Sequence, residues 1–229
     1  MHLSPATVAQ VAALAAGAML VTSVLLVWRR SLRPAVRLLA VQGAALALLV
    51  AATGLAAGEA ELLAVALVVL ALKGVVVPWV LERGVRTGGP DREDAPRLNP
   101  TAGLVAVAGL TTVAYLVSRP ITAALVGPAA AGHASRTVLA VPIGLVLVLV
   151  GLLLMTTRRR AVSQLVGFVV LDNGIAAVAF LTAAGVPLLV ELGVSFELLL
   201  IVLILAVLTG LIRGVAGPLA LDTMTELRD

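Results

Sequence analysis

The sequence predicts an all-α, polytopic membrane protein of about seven transmembrane helices, and three observations carry that prediction. Hydrophobic residues make up 61% of the 229-residue chain against 12% charged, and the mean hydropathy is +1.16, more than a water-facing surface tolerates. Apolar runs of membrane-spanning length recur along the chain; a hydrocarbon core of roughly 30 Å takes about 20 residues at a helical rise of 1.5 Å. The arginines cluster between alternate runs, so the basic balance encodes topology rather than a nucleic-acid-binding face.

The first span, Ala6–Trp28, has no basic segment before it and is followed by Arg29 and Arg30, which marks a retained helix rather than a cleaved signal peptide. The second, Ala35–Ala57, and the third, Ala60–Leu81, are separated only by a short turn. The polar stretch Glu82–Pro100, with Thr87-Gly88-Gly89-Pro90-Asp91, predicts a turn-rich loop rather than a domain. The fourth span, Ala102–Val117, has two readings at its end, because a membrane helix tolerates proline and Ile121–Val126 beyond Arg119-Pro120 is apolar. Thr137–Thr157, Ala161–Ala184 and Val194–Val215 complete the set.

Arg29, Arg30, Arg33 and Arg37 follow the first span, Arg83, Arg86, Arg92 and Arg97 the third, Arg158, Arg159 and Arg160 the fifth, and Arg213 and Arg228 the last. The intervening loops hold only Arg119 and Arg136. By the positive-inside rule the N-terminus faces outward and the C-terminus lies in the cytoplasm, with Trp28 and Trp79 at the inner interface. A bacterial cytoplasmic (inner) membrane is the expected location.

An internal repeat sets the expected architecture. Gln42-Gly43 matches Asn173-Gly174; after a loop five residues longer in the second copy, Glu61 matches Glu197 and Gly74 matches Gly210. Residues 1–83 and 137–229 then form two three-helix units in one orientation, a parallel repeat. Residues 84–136 supply the loop, the connector helix and an outer loop.

The chain has no cysteine and only two histidines, His2 and His133. Thiolate metal sites, disulfides, iron–sulfur clusters and bis-histidine haem are thereby excluded, and no cofactor is expected. Asp172 falls near the middle of the sixth span, with Asn173 beside it and Gln164 two turns earlier. A charge at that depth costs about 2.5–3.5 kcal/mol on insertion scales, so it must face protein, a partner or water. Lys73, the single lysine, lies near the centre of the third span. Burial disfavours the charged form of both groups, so they are natural members of one titrating network. The alternatives are a neutral acid bonded to a neighbouring helix for Asp172 and a snorkelling side chain for Lys73. Glu61 and Glu197, about a turn into their helices, suit the outer mouth of an ion path, whereas Glu59 and Glu191 suit a solvated rim. No nucleophile–base pair lies within a span.

Leu171-Asp172-Asn173-Gly174, then Gly185-Val186-Pro187-Leu188-Leu189-Val190-Glu191-Leu192-Gly193, then Phe196-Glu197-Leu198-Leu199 resemble hydrogenase-4 component E, a membrane subunit of group 4 NiFe hydrogenases of the formate hydrogenlyase type. The last three spans and Leu221-Asp222-Thr223-Met224-Thr225-Glu226-Leu227-Arg228 also resemble the K-type subunit of bacterial complex I. A more diffuse similarity extends to the C subunit of multisubunit sodium/proton antiporters. The resemblance covers Thr137–Asp229 best. It departs at Asp172, where glutamate is expected, and at Glu197, where aspartate is expected. Relative to complex I the glutamate expected at Val169 is absent, and Glu197 lies a turn from Ile201. The resemblance implies a non-catalytic, non-redox subunit in the membrane arm of an oxidoreductase complex, beside antiporter-like and anchor subunits. It further implies that Asp172, Glu197, Lys73 and Glu61, with Gln164 and Asn173, belong to a proton or sodium path. A stand-alone ion or solute carrier, or a scaffold subunit of a cation/proton antiporter, is the alternative.

Overall fold

The computed structural model describes residues 4–87, 98–126, 141–159, 161–182, 199 and 202, and every regular element among them is a helix. Ser4 starts α1 (Pro5–Trp28) by accepting a hydrogen bond from the Thr7 N–H at 3.2 Å, with Pro5 where its missing N–H costs nothing. Helix α2 (Leu32–Ala57) begins a turn earlier than its apolar run, since Pro34 is tolerated in a first turn. It stops at Gly58, the one described residue with positive φ (70°), and the Glu59 N–H folds back onto the Gly54 carbonyl at 3.1 Å.

The third span is one rod of three parts: α3 (Ala60–Val69), a π-helical segment (Leu70–Val76) and α4 (Val77–Thr87). Helix α4 carries on through Glu82–Thr87, where a loop was expected. Buried Leu81 and Val85 hold that turn to the bundle, and Glu82 and Arg86 pair at 2.8 Å across one exposed turn. Arg83 lies 4.6 Å over the Trp79 ring.

Asn99 caps α5 (Pro100–Val126) by accepting from the Ala102 N–H at 2.7 Å, and the helix runs straight through Pro120, the longer of the two readings of the fourth span. Helix α6 (Val141–Thr157) is 17 residues long, about 25 Å at the helical rise. Helix α7 (Ala161–Thr182) follows after a short turn. Of the seventh span, Leu199 is helical and half-buried and Val202 is helical and buried; the rest, with Glu191, Glu197 and Gly210, lies outside the described residues.

Five of these helices are long and apolar enough to cross a membrane: Ala6–Trp28, Leu32–Ala57, Ala60–Arg83, Pro100–Ala123 and Val162–Phe180. Large apolar side chains such as Leu14, Leu67, Val75 and Val105 point away from the protein, as a lipid-facing surface requires. Helix α2 is the hub, touching α1, the whole third rod and α7. Helix α5 is peripheral, held to α1 and α6 through buried Val107, Ala114 and Ser118.

Glycine lets the helices approach closely. On α6, Gly144 and Gly151 meet Gly174 and Leu171 of α7, and a Cβ at Gly174 would stand 2.7 Å from the Gly144 carbonyl oxygen. On α2, a Cβ at Gly43 would overlap the backbone carbonyl of Lys73, so this glycine brings the π-helical segment against the hub.

Candidate functional site

The polar residues of the interior come together in one layer. Lys73 is fixed by the middle of the π-helical segment, a helical form uncommon enough to mark a local strain or a functional position. Its ammonium lies 2.7 Å from Asp172 Oδ2 on α7, with the side chains 1% and 9% exposed. The contact is a buried ion pair. Next to Asp172, Asn173 donates from Nδ2 to Gln42 Oε1 at 3.0 Å. Gln42 in turn donates from Nε2 to Ser23 Oγ at 2.8 Å and to the Met19 carbonyl at 3.2 Å. The Ser23 hydroxyl donates to that same carbonyl at 2.8 Å. Gln42, Asn173 and Ser23 are fully buried.

This layer crosses the bundle sideways. Lys73, Gln42 and Asp172 each lie about ten residues, roughly 15 Å, from the arginine-flanked end of their helices, and Met19 sits at a similar depth on α1. The order is third rod, α7, α2, α1: four elements joined by one ion pair and a run of side-chain hydrogen bonds. In so apolar a surrounding each bond is electrostatically strengthened and each unmade bond is costly. Asn173 Oδ1 is buried and accepts no hydrogen bond among the described residues.

Other residues predicted from sequence stand apart. Gln164 is exposed and donates from Nε2 to the Arg158 carbonyl at 3.1 Å, closing the turn into α7. The eight residues between it and Asp172 place it about 12 Å lower and some 80° round the helix, so it cannot join the layer. Glu61 is exposed in the first turn of α3, about twelve residues or 18 Å from Lys73. Glu197 lies outside the described residues. Among the described residues no group of histidine, cysteine and acidic side chains is arranged to hold a metal.

Sequence reasoning set Gln42 aside as a repeat marker, although an amide in mid-span is itself a signal of interhelical bonding. It also missed Ser23, which is indistinguishable in sequence from a serine back-bonded within its own helix. Arg158 was read as topology alone. It is 8% exposed and donates from Nη2 to the carbonyls of Leu26, Val27 and Arg29 at 3.0, 3.3 and 2.7 Å. A cation thus closes the negative end of α1 and ties it to the α6–α7 turn.

No model of a known protein family matches the chain, and no solved structure does. The chain is similar to "Uncharacterized protein Rv0085" of Mycobacterium tuberculosis, with 46% identity over 216 residues that cover 94% of each chain. With identity that high along nearly the whole length, the chain belongs to the family of this mycobacterial protein.

Proposed function

We propose that this chain is a non-redox membrane-arm subunit of a complex I-like, group 4 hydrogenase-type assembly, in which the buried Lys73–Asp172 pair takes part in redox-coupled proton or sodium movement. The observation that carries the reading is the ion pair at mid-depth, continued by Asn173, Gln42 and Ser23. An ion pair excluded from solvent is poorly explained by stability, since well-packed apolar residues of similar volume serve as well or better. A pair whose charges can be created or cancelled by a neighbouring group is a bistable element, and the hydrogen-bonded side chains beside it extend its influence across the bundle.

The finer architecture belongs to the same proposal. Seven spans, a parallel repeat and an outward N-terminus fit helices α2 and α7, which start at the same end and pair through Gln42 and Asn173, the matched residues of the two units. Arg29, Arg30, Arg33, Arg37, Arg83, Arg86, Arg158 and Arg159 gather at one end and Arg119 at the other, which suits a cytoplasmic arginine end in an inner membrane.

A scaffold role is the second reading, favoured by the side-to-side hydrogen bonding of the layer, which would equally fix helix pairing. Pumping by the assembled complex with Asp172→Asn separates these two readings, and either is set against a self-contained carrier by purifying the tagged chain from its own membranes in mild detergent. Antiporter-like membrane proteins and a hydrogenase-like large subunit are expected to accompany it, and the chain alone is expected to move no ions in sealed vesicles. Ion movement by the isolated chain would overturn the subunit reading in favour of a self-contained carrier.

A further inference from the structure

The arginine-flanked end holds a second polar site, unconnected with the mid-depth layer. Three adjoining hollows open where α1 ends and α2, α5 and α7 begin. The largest, about 430 Å³, is bounded by Trp28, Arg29, Arg30, Ser31 and Pro100, a volume within the roughly 300–1,000 Å³ typical of small-molecule sites. Two small recesses, of about 20 and 10 Å³, lie beside it and are lined by Thr157 and Ser163 respectively. Arg30 borders all three hollows.

The electrostatics of this cleft are one-sided. Arg158 already satisfies the carbonyl end of α1, so that negative pole is cancelled. Among the described residues no carboxylate pairs with Arg29 or Arg30, and Glu82, the described acidic group at this end, is taken by Arg86. The first turn of α2 receives no side-chain cap, leaving its N–H groups and positive pole facing the same space. The independent sign of a missing ligand is Ser163 on α7. It is 5% exposed, it lines the smaller recess with Arg29, Arg30 and Ser31, and its Oγ has no hydrogen-bond partner among the described residues. A buried hydroxyl left unpaired is costly, and the recess beside it has room for about one water, which relays Ser163 to an anion seated in the larger hollow.

We infer that the larger hollow binds a phosphate-bearing anion, gripped by Arg29 and Arg30, capped by the α2 N-terminus and reached by Ser163 through a water in the recess. Two sources share that chemistry, the headgroup of an anionic phospholipid and free phosphate. Trp28, more than half exposed beside the cleft, is the kind of side chain that settles at headgroup level.

The test uses the full chain, delipidated in neutral detergent, with thermal unfolding and native mass spectrometry as readouts. Phosphatidylglycerol, phosphatidylcholine and inorganic phosphate are added separately. Phosphatidylglycerol is expected to raise Tm and to stay bound, with an effect that shrinks as salt is added. Arg30→Gln is expected to weaken retention about fivefold, the worth of one arginine beside an anionic surface. Ser163→Ala, which preserves charge and fold, is expected to weaken it by a smaller factor. Arg119→Gln, at the opposite end, is expected to leave it unchanged. Stabilisation by inorganic phosphate, with displacement of the lipid, would support the site and assign it to free phosphate. Equal retention of phosphatidylcholine and phosphatidylglycerol, or losses in Arg30→Gln and Ser163→Ala no larger than in Arg119→Gln, would overturn the inference. Neither outcome touches the ion-path proposal, which rests on residues about 15 Å deeper.

Discussion

Asp172 and Lys73 meet at 2.7 Å inside a bundle whose core is mostly valine, leucine and alanine. Asp172→Asn removes the carboxylate that faces Lys73, and the expected loss is at most about 3–5 kcal/mol, read by unfolding in detergent. The double change Lys73→Met with Asp172→Leu replaces the pair by apolar volume and is expected to recover most of that loss, so the double-mutant cycle shows strong coupling. Additive losses would mean that the two groups act on stability independently. Gln42→Leu breaks its bonds to Asn173, Ser23 and the Met19 carbonyl, and bonds of this kind in membrane proteins average about 0.6 kcal/mol each. A loss of about 2 kcal/mol is therefore expected, below that of Asp172→Asn. Composition and span position made Asp172 and Lys73 legible in the sequence as buried titratable groups. Their contact was not legible, because it depends on which faces of two distant spans meet, and that is decided by Gly43 and the π-helical segment.

At the scale of elements, glycine placement decides which helices touch. Gly43→Ala drives a methyl group into the Lys73 carbonyl and is expected to cost about 1–3 kcal/mol, with Gly174→Ala similar. Gly17 and Gly109 meet nothing within 4 Å, so alanine there is expected to stabilise by up to about 1 kcal/mol through helix propensity. The same melting series measures all four. Equal effects at Gly43 and Gly17 would contradict the close approach that seats Lys73. Arg158→Met keeps an apolar stem but removes three carbonyl contacts, and a loss of about 1.5–3 kcal/mol is expected. Helical spans were legible because each is a long apolar run. The extension of α4 to Thr87 was not, because a charged segment reads as a loop until Leu81 and Val85 are seen anchoring it. Gln164 was misplaced for a related reason: proximity in sequence along a helix is not proximity on one of its faces.

For the whole molecule, an arginine-rich end and an end bearing Gly58, Glu59 and Glu61 define an axis along which all the long helices lie. The chain has no cysteine, so single cysteines report topology cleanly. Cysteine at Ser4 or Glu59 is expected to react with an impermeant thiol reagent in intact cells, and cysteine at Arg159 only after permeabilisation. The reverse pattern would invert the proposed orientation. Charge asymmetry made this axis legible, while the lateral run of the polar layer was hidden, since no local pattern records that Met19, Gln42, Lys73 and Asp172 share one depth. The central claim is that the charges at this depth participate in ion movement. The most direct measurement is ion pumping by vesicles carrying the assembled complex with Asp172→Asn in this chain. Assembly and electron transfer are expected to persist while pumping falls at least about tenfold, a barrier change near 1.4 kcal/mol; pumping at the unsubstituted rate in that fully assembled complex would exclude a part for these charges in ion movement.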